Sequence, residues 1–223
     1  DNARLLWEPA GEPDYLFFDF EADNGGWVGS GYGDWEYTDT YTLTGYTDND
    51  TSVGTPPTAA HSGDGLWGTK VLGDYSNSSA WSYLRKTVDL AGFTSPVLSI
   101  WHYMNGYNTY DYGIIKVNGT TVWGSSAAAV FMPWQQLTVP LTAFEGMSSV
   151  EISFEWYATG TVNYAGWYID DIYIGPATTR NTASLGTRNR DRSLQNYGVY
   201  RMLLADEAIP ANWTLLSAAT ADT

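Results

Sequence analysis

Residues 149–157, SVEISFEWY, set Val150, Ile152, Phe154 and Trp156 at alternate positions, with Glu151, Ser153 and Glu155 between them. Side chains on a strand point alternately to opposite faces, so this pattern predicts a strand with one face in a core and the other in solvent. Short apolar or alternating runs recur at 15–21 (YLFFDFE), 67–72, 81–88, 96–104 (PVLSIWHYM), 112–123 (YGIIKVNGTTVW) and 134–141 (WQQLTVPL). Residues 36–53 mix Thr with aromatic and acidic residues and read as strand and loop, with DNDT at 48–51 as a solvated turn. Asn118-Gly119 is the dipeptide of a two-residue hairpin. The glycine-rich stretch ADNGGWVGSGYGDW, directly after Glu21, reads as a loop, as does NGYNTYD before Tyr112. No segment carries a sustained helical period. About nine or ten strands at this spacing predict an all-β chain, a jelly-roll β-sandwich.

The last of these runs, GWYIDDIYIG at 166–175, carries two acids at its centre. Strict alternation places Trp167, Ile169, Asp171 and Tyr173 on one face, and Tyr168, Asp170, Ile172 and Ile174 on the other. A carboxylate among large apolar residues is costly to bury unless it is paired or holds a cation. No Lys or Arg lies nearer in sequence than Arg180. Two readings stay open: the strand lies at an edge with both acids in water, or at least one acid holds a metal.

Composition narrows the choices. The 223 residues contain no Cys, which excludes a disulfide framework, a thiol nucleophile and Cys-ligated zinc. No apolar run approaches the ~18 residues of a membrane span, and no signal peptide is visible. The formal charge is −15. Residues 1–176 carry 21 acids against five bases, whereas 177–223 carry five Arg against four acids. An acidic body repels nucleic acid and anionic membrane, so neither is expected as a partner. Such a surface suits an extracellular, cation-rich medium.

FDFEADNGGW, then AHSGDGLWGTKVLGDYSN, then GWYIDDIYI resemble the MAM-like jelly-roll modules of bacterial surface and secreted proteins, including cleaved-adhesin modules. The likeness spans residues 15–176, preceded by an irregular arm at 1–14. It implies structural calcium near the first and last strands, with Glu21 and Asp170 or Asp171 as ligands and Asp19 and Asp74 of second rank. Calcium takes six to eight oxygen ligands, which suits carboxylates beside a glycine-rich loop. In 177–223, SLQNYGVYRMLLADEAIPANWTLL resembles the middle strands of a fibronectin type III-like module, although 47 residues hold neither its leading nor its closing strands.

Catalytic signatures are missing: the sequence contains no HExxH, GxSxG or phosphate loop. His102 lies in an alternating strand and reads as packed. His61 neighbours Ser62 and Asp64, but triad side chains converge from separate elements. The chain therefore reads as a non-enzyme. Trp27, Tyr32 and Trp35 in one aromatic loop, with Tyr107 and Tyr110 in another, are candidates for stacking on a ligand. Two functions follow. One is an extracellular adhesion or assembly module that contacts protein, with 177–223 either making head-to-tail contact with its own copies, or folding back on its own jelly roll or standing as the stub of a module. The other is a carbohydrate-binding module serving a secreted enzyme.

Overall fold

The computed structural model describes residues 15–32, 34–47, 55–107, 110–125 and 131–177. The arm at 1–14, the DNDT run and the fibronectin-like stretch beyond Ala177 lie outside them.

Eleven strands form within these residues: β1 Leu16–Phe18, β2 Val28–Gly31, β3 Glu36–Thr38, β4 Leu66–Gly68, β5 Ala80–Val88, β6 Pro96–Asn105, β7 Tyr112–Val117, β8 Thr120–Gly124, β9 Phe131–Pro140, β10 Val150–Ala158 and β11 Gly166–Pro176. The described residues contain no α-helix, only a 3-10 turn at Thr142–Phe144. One antiparallel sheet runs β3-β4-β11-β6-β9, with β1 also paired to β11, and the second runs β2-β5-β10-β7-β8. This is the jelly-roll β-sandwich that the pattern predicts. Val150, Ile152, Phe154 and Trp156 of β10 are buried together with Leu84, Ile115 and Val117 of the same sheet. Trp167, Ile169, Leu98 and Ile100 face them from the other. Asn118 and Gly119 take φ of 46° and 77° and close the β7–β8 hairpin, as their dipeptide predicts.

Three details depart from the sequence reading. The glycine-rich loop contains β2, whose Val28 pairs with Arg85 of β5, because strand pairing needs only backbone and glycine retains it. Ser153 and Glu155, expected in solvent, are 2% and 5% exposed. Flanking side chains close over them: Lys116 Nζ is 2.8 Å from Glu155 Oε2, and Arg85 Nε donates to Ser153 Oγ at 3.3 Å.

The third departure shapes the site. Asp170 pairs with Trp101 of β6, and the next registered pair is Tyr173 with Ser99, so Asp171 and Ile172 together oppose Ile100. This β-bulge shifts the alternation by one residue. Trp167 and Ile169 point into the core before it, and Ile172 and Ile174 point into the same core after it. With Trp167 and Ile169 inward, regular alternation would have set Asp171 in the core and expelled both isoleucines. Asp171 takes φ of 47°, a left-handed conformation that Asp tolerates better than most residues.

Candidate functional site

The bulge lies at a gap in the sheet. On one edge of β11, β4 pairs with Tyr168 and Ile169, whereas β1 pairs with Ile172 to Ile174. Neither strand reaches Asp170 and Asp171. The loop His61–Gly65, which leads into β4, fills the opening. Ser62 N–H donates to Asp170 Oδ2 at 3.1 Å, and Ser62 Oγ–H donates to Asp171 Oδ1 at 2.9 Å. His61 Nδ1 lies 2.6 Å from Asp171 Oδ2. The His61 ring stacks on Trp101 with centroids 3.7 Å apart at 13°, and the edge of Trp134 closes its flank.

Both carboxylates are thereby brought to one place. Asp170 is fully buried, and its Oδ1 accepts the Asp171 N–H at 2.7 Å. One donor atom each from His61, Asp170 and Asp171 lies within 4.8 Å of the others. Among the described residues neither acid forms an ion pair with Lys or Arg. Burial, and then the adjoining Asp171 charge, push the Asp170 carboxyl up to about 8, against the lowering effect of backbone N–H groups. A second carboxylate beside a desolvated one is the arrangement a hard cation relieves.

Glu21 stands on the other side of the same loop. Its Oε1 accepts the N–H groups of Asp64 and Gly65 at 2.9 and 2.8 Å. Phe20, two residues beyond β1, takes φ of 59° just before Glu21. Gly63, at φ 55°, packs directly on the Glu21 carboxylate, where any Cβ would collide with it. Glu21 is thus joined to the Asp pair through residues 61–65 and is not one of the three clustered ligands. Asp19 touches this region through Glu21, whose N–H it accepts at 3.4 Å. Asp74 lies elsewhere, accepting the Tyr46 hydroxyl at 2.9 Å.

His61, Ser62 and Asp64 form no catalytic relay. His61 and Ser62 both engage Asp171, and Asp64 offers its backbone N–H to Glu21. A serine nucleophile would need its hydroxyl bonded to the imidazole. His102 is packed as read: it is 2% exposed, and burial pulls it down to about 4.

The aromatic candidates divide. Trp27 and Trp35 are 0% and 6% exposed and belong to the core, so their rings offer no stacking surface. Tyr32 and Tyr110 are 58% and 56% exposed, and Tyr107 stacks on Tyr110 with centroids 5.5 Å apart. Sequence reasoning passed over Trp81, Tyr83 and Tyr157, which sit with Tyr112 on the outer face of the five-stranded sheet. Their signal was aromatic residues at the strand positions opposite the core-facing ones. No helix among the described residues is long and apolar enough to cross a membrane.

No family model matches the chain. Bacillopeptidase F of Bacillus subtilis (strain 168) is 27% identical over 173 residues, covering 74% of this chain and 11% of that protein. The chain therefore spans about a tenth of that relative's length. Among solved structures, the K1 cleaved adhesin domain of Lys-gingipain from Porphyromonas gingivalis W83 is similar at TM-score 0.45 and 14% identity, over 74% of this chain and 99% of that one. A family 61 carbohydrate-binding module in complex with β-1,4-galactotriose is similar at TM-score 0.42 and 16% identity, over 68% and 88%. A family 35 carbohydrate-binding module from Clostridium thermocellum is similar at TM-score 0.37 and 15% identity, over 73% and 98%.

Proposed function

We propose that this chain is a non-catalytic extracellular binding module of the MAM-like, cleaved-adhesin type, with its sheet gap pinned by calcium. The observation that carries the reading is the buried Asp170 carboxylate beside Asp171, with His61 and Ser62 bonded to the pair. The oxygens fit a hard cation: Asp170 and Asp171 would hold it, with Ser62 Oγ and carbonyls of the 61–65 loop beside them and Glu21 on the other side of that loop. His61 fits less well, because calcium selects oxygen. Its role would be to orient Asp171 through Nδ1. When bound, calcium would supply the positive charge that the pair lacks.

A ligand bound only by the folded state at ~100 times its Kd adds about 2.7 kcal/mol, or ~5–11 °C in melting temperature for a domain of this size. Chelation should lower the melting temperature by that much, calcium should restore it, and Asp171→Ala should remove the response. A melting curve that chelator leaves unchanged would overturn the calcium reading. Turnover of a glycan or peptide panel that disappears with one substituted acid would overturn the non-catalytic one.

The partner belongs to one of two classes. As an adhesion module, the chain contacts protein, including its own copies through the fibronectin-like segment at 177–223. As a carbohydrate-binding module, it contacts a glycan. The second class is favoured by one observation, the outer sheet face where half-buried aromatic rings adjoin a charged hydrogen-bonding network.

A further inference from the structure

We propose that the outer face of the sheet β2-β5-β10-β7-β8 is a glycan-binding face, with the rings of Trp81, Tyr112 and Tyr157 as its platform and Lys116 and Arg85, braced by the buried Glu155 and Ser153, as its hydrogen-bonding donors. The inference rests on the binding-module reading and names the ligand class and the surface.

Strand register assembles this face. Trp81 of β5, Tyr157 of β10 and Tyr112 of β7 are directly cross-strand. Two residues further along come Tyr83, Glu155 and Ile114, and two further again Arg85, Ser153 and Lys116. None of these faces the core, because Leu84, Phe154, Trp156 and Ile115 hold the inward positions between them.

The three rings form one cluster. Trp81 lies 5.1 Å from Tyr157 and 5.5 Å from Tyr112, and the two tyrosines lie 5.6 Å apart. All three are half-buried, so each is fixed by its neighbours and still presents surface. A fixed, partly exposed aromatic ring offers an apolar face to the C–H groups of a pyranose, at little entropic cost on binding.

The polar groups beside the rings are held in place as well. Glu155 receives Lys116 Nζ on Oε2 at 2.8 Å and the Ser153 hydroxyl on Oε1 at 3.2 Å. Lys116 also lies 5.9 Å from the Trp81 ring centroid. Arg85 spans Tyr83 at 4.1 Å and gives Nε to Ser153. Among the described residues Arg85 has no carboxylate within ion-pair distance, so its terminal nitrogens keep their donor capacity. Donors held in place next to a ring provide part of what hydroxyl-rich ligands need.

The same composition argues against a protein partner on this face. The buried centre of a protein–protein interface is depleted of charge, whereas here the charged network occupies the centre. Charge also points to the ligand. Of the four Lys and Arg among the described residues, two stand on this face of a chain with formal charge −15. The face is therefore receptive to a neutral glycan and, through Arg85, more so to one bearing uronates.

The test is a glycan array spanning neutral and uronate-containing oligosaccharides, probed with the full chain in calcium buffer and followed by titration of the hits. Binding of at least one oligosaccharide, weakened about tenfold or more by Trp81→Ala, supports the proposal. Arg85→Ala and Tyr112→Ala test the same face should Trp81→Ala fold poorly. Each should weaken binding while leaving the melting temperature near wild type. An array with no hits overturns the proposal, as does binding that Tyr110→Ala abolishes and the three face variants leave intact. Calcium-dependent melting with no glycan binding overturns this inference alone. Glycan binding without calcium-dependent melting overturns only the calcium reading.

Discussion

In calcium-free buffer the folded protein should lose stability as pH rises from 5 to 8, because of Asp170. Its carboxyl is raised to about 8 by burial and by the adjoining Asp171, from an ordinary value of 3.8. The stability tied to its protonation is fully present below the unfolded value and is lost as pH rises through the folded one. Between the two, the unfolded chain releases the proton and the folded chain keeps it, so ν_U is smaller than ν_N and stability falls with pH. The slope for one proton is about 1.36 kcal/mol per pH unit, or about 4 kcal/mol across three units. With an m-value of about 2–3 kcal/mol/M, the urea midpoint should fall by roughly 1.3–2 M. Excess calcium should flatten or reverse this slope, since the cation competes with the proton for the same oxygens. The groups facing Asp170 are Asp171, Ser62 and His61. Asp170→Asn separates the contributions, because the amide keeps the shape and cannot ionise. Urea unfolding at pH 5, 6, 7 and 8, with and without calcium, reads the effect in both proteins. A flat profile in calcium-free buffer, or a slope that persists in Asp170→Asn, would refute the reasoning.

Further outcomes follow from individual residues. Gly63→Ala must hold φ near 55° and displace the Glu21 carboxylate. It should cost about 1–2 kcal/mol from the backbone alone and weaken the response to calcium, both measurable by melting with and without chelator. Trp27→Ala should cost about 3–5 kcal/mol as a core truncation, whereas the exposed Tyr32→Ala should stay within about 0.5 kcal/mol in the same urea assay. Deleting residues 177–223 tests the assembly proposal by light scattering or electron microscopy. Self-association should be lost, and assembly that matches the full chain would remove this segment as the connector. Lys116→Met should destabilise by roughly 1–3 kcal/mol at neutral pH, since Glu155 would keep a buried charge without its cation, and a variant as stable as the parent would argue against that pairing.

Much of the fold is written in short-range pattern. The alternation in 149–157 specifies a strand with Val150, Ile152, Phe154 and Trp156 inward, and β10 has that orientation. Asn118-Gly119 specifies its hairpin because few other dipeptides tolerate two positive φ angles in a row. The acids of the candidate site were visible too, since two carboxylates in mid-strand conflict with their apolar neighbours. Their arrangement was not. Alternation assigns Asp170 and Asp171 to opposite faces, and a single extra residue against Ile100 reverses the parity of everything beyond it. Whether a strand carries that residue depends on its pairing partners, which lie far away in sequence. The same holds for Ser62 and His61, which meet the acids across more than a hundred residues. It holds also for Trp81, Tyr112 and Tyr157, which become one surface only when three strands align. Local pattern sets which residues seek burial, because hydrophobicity and backbone preference act within a few positions. The tertiary structure sets which side chains meet, because register and closure follow from the packing of the whole sandwich.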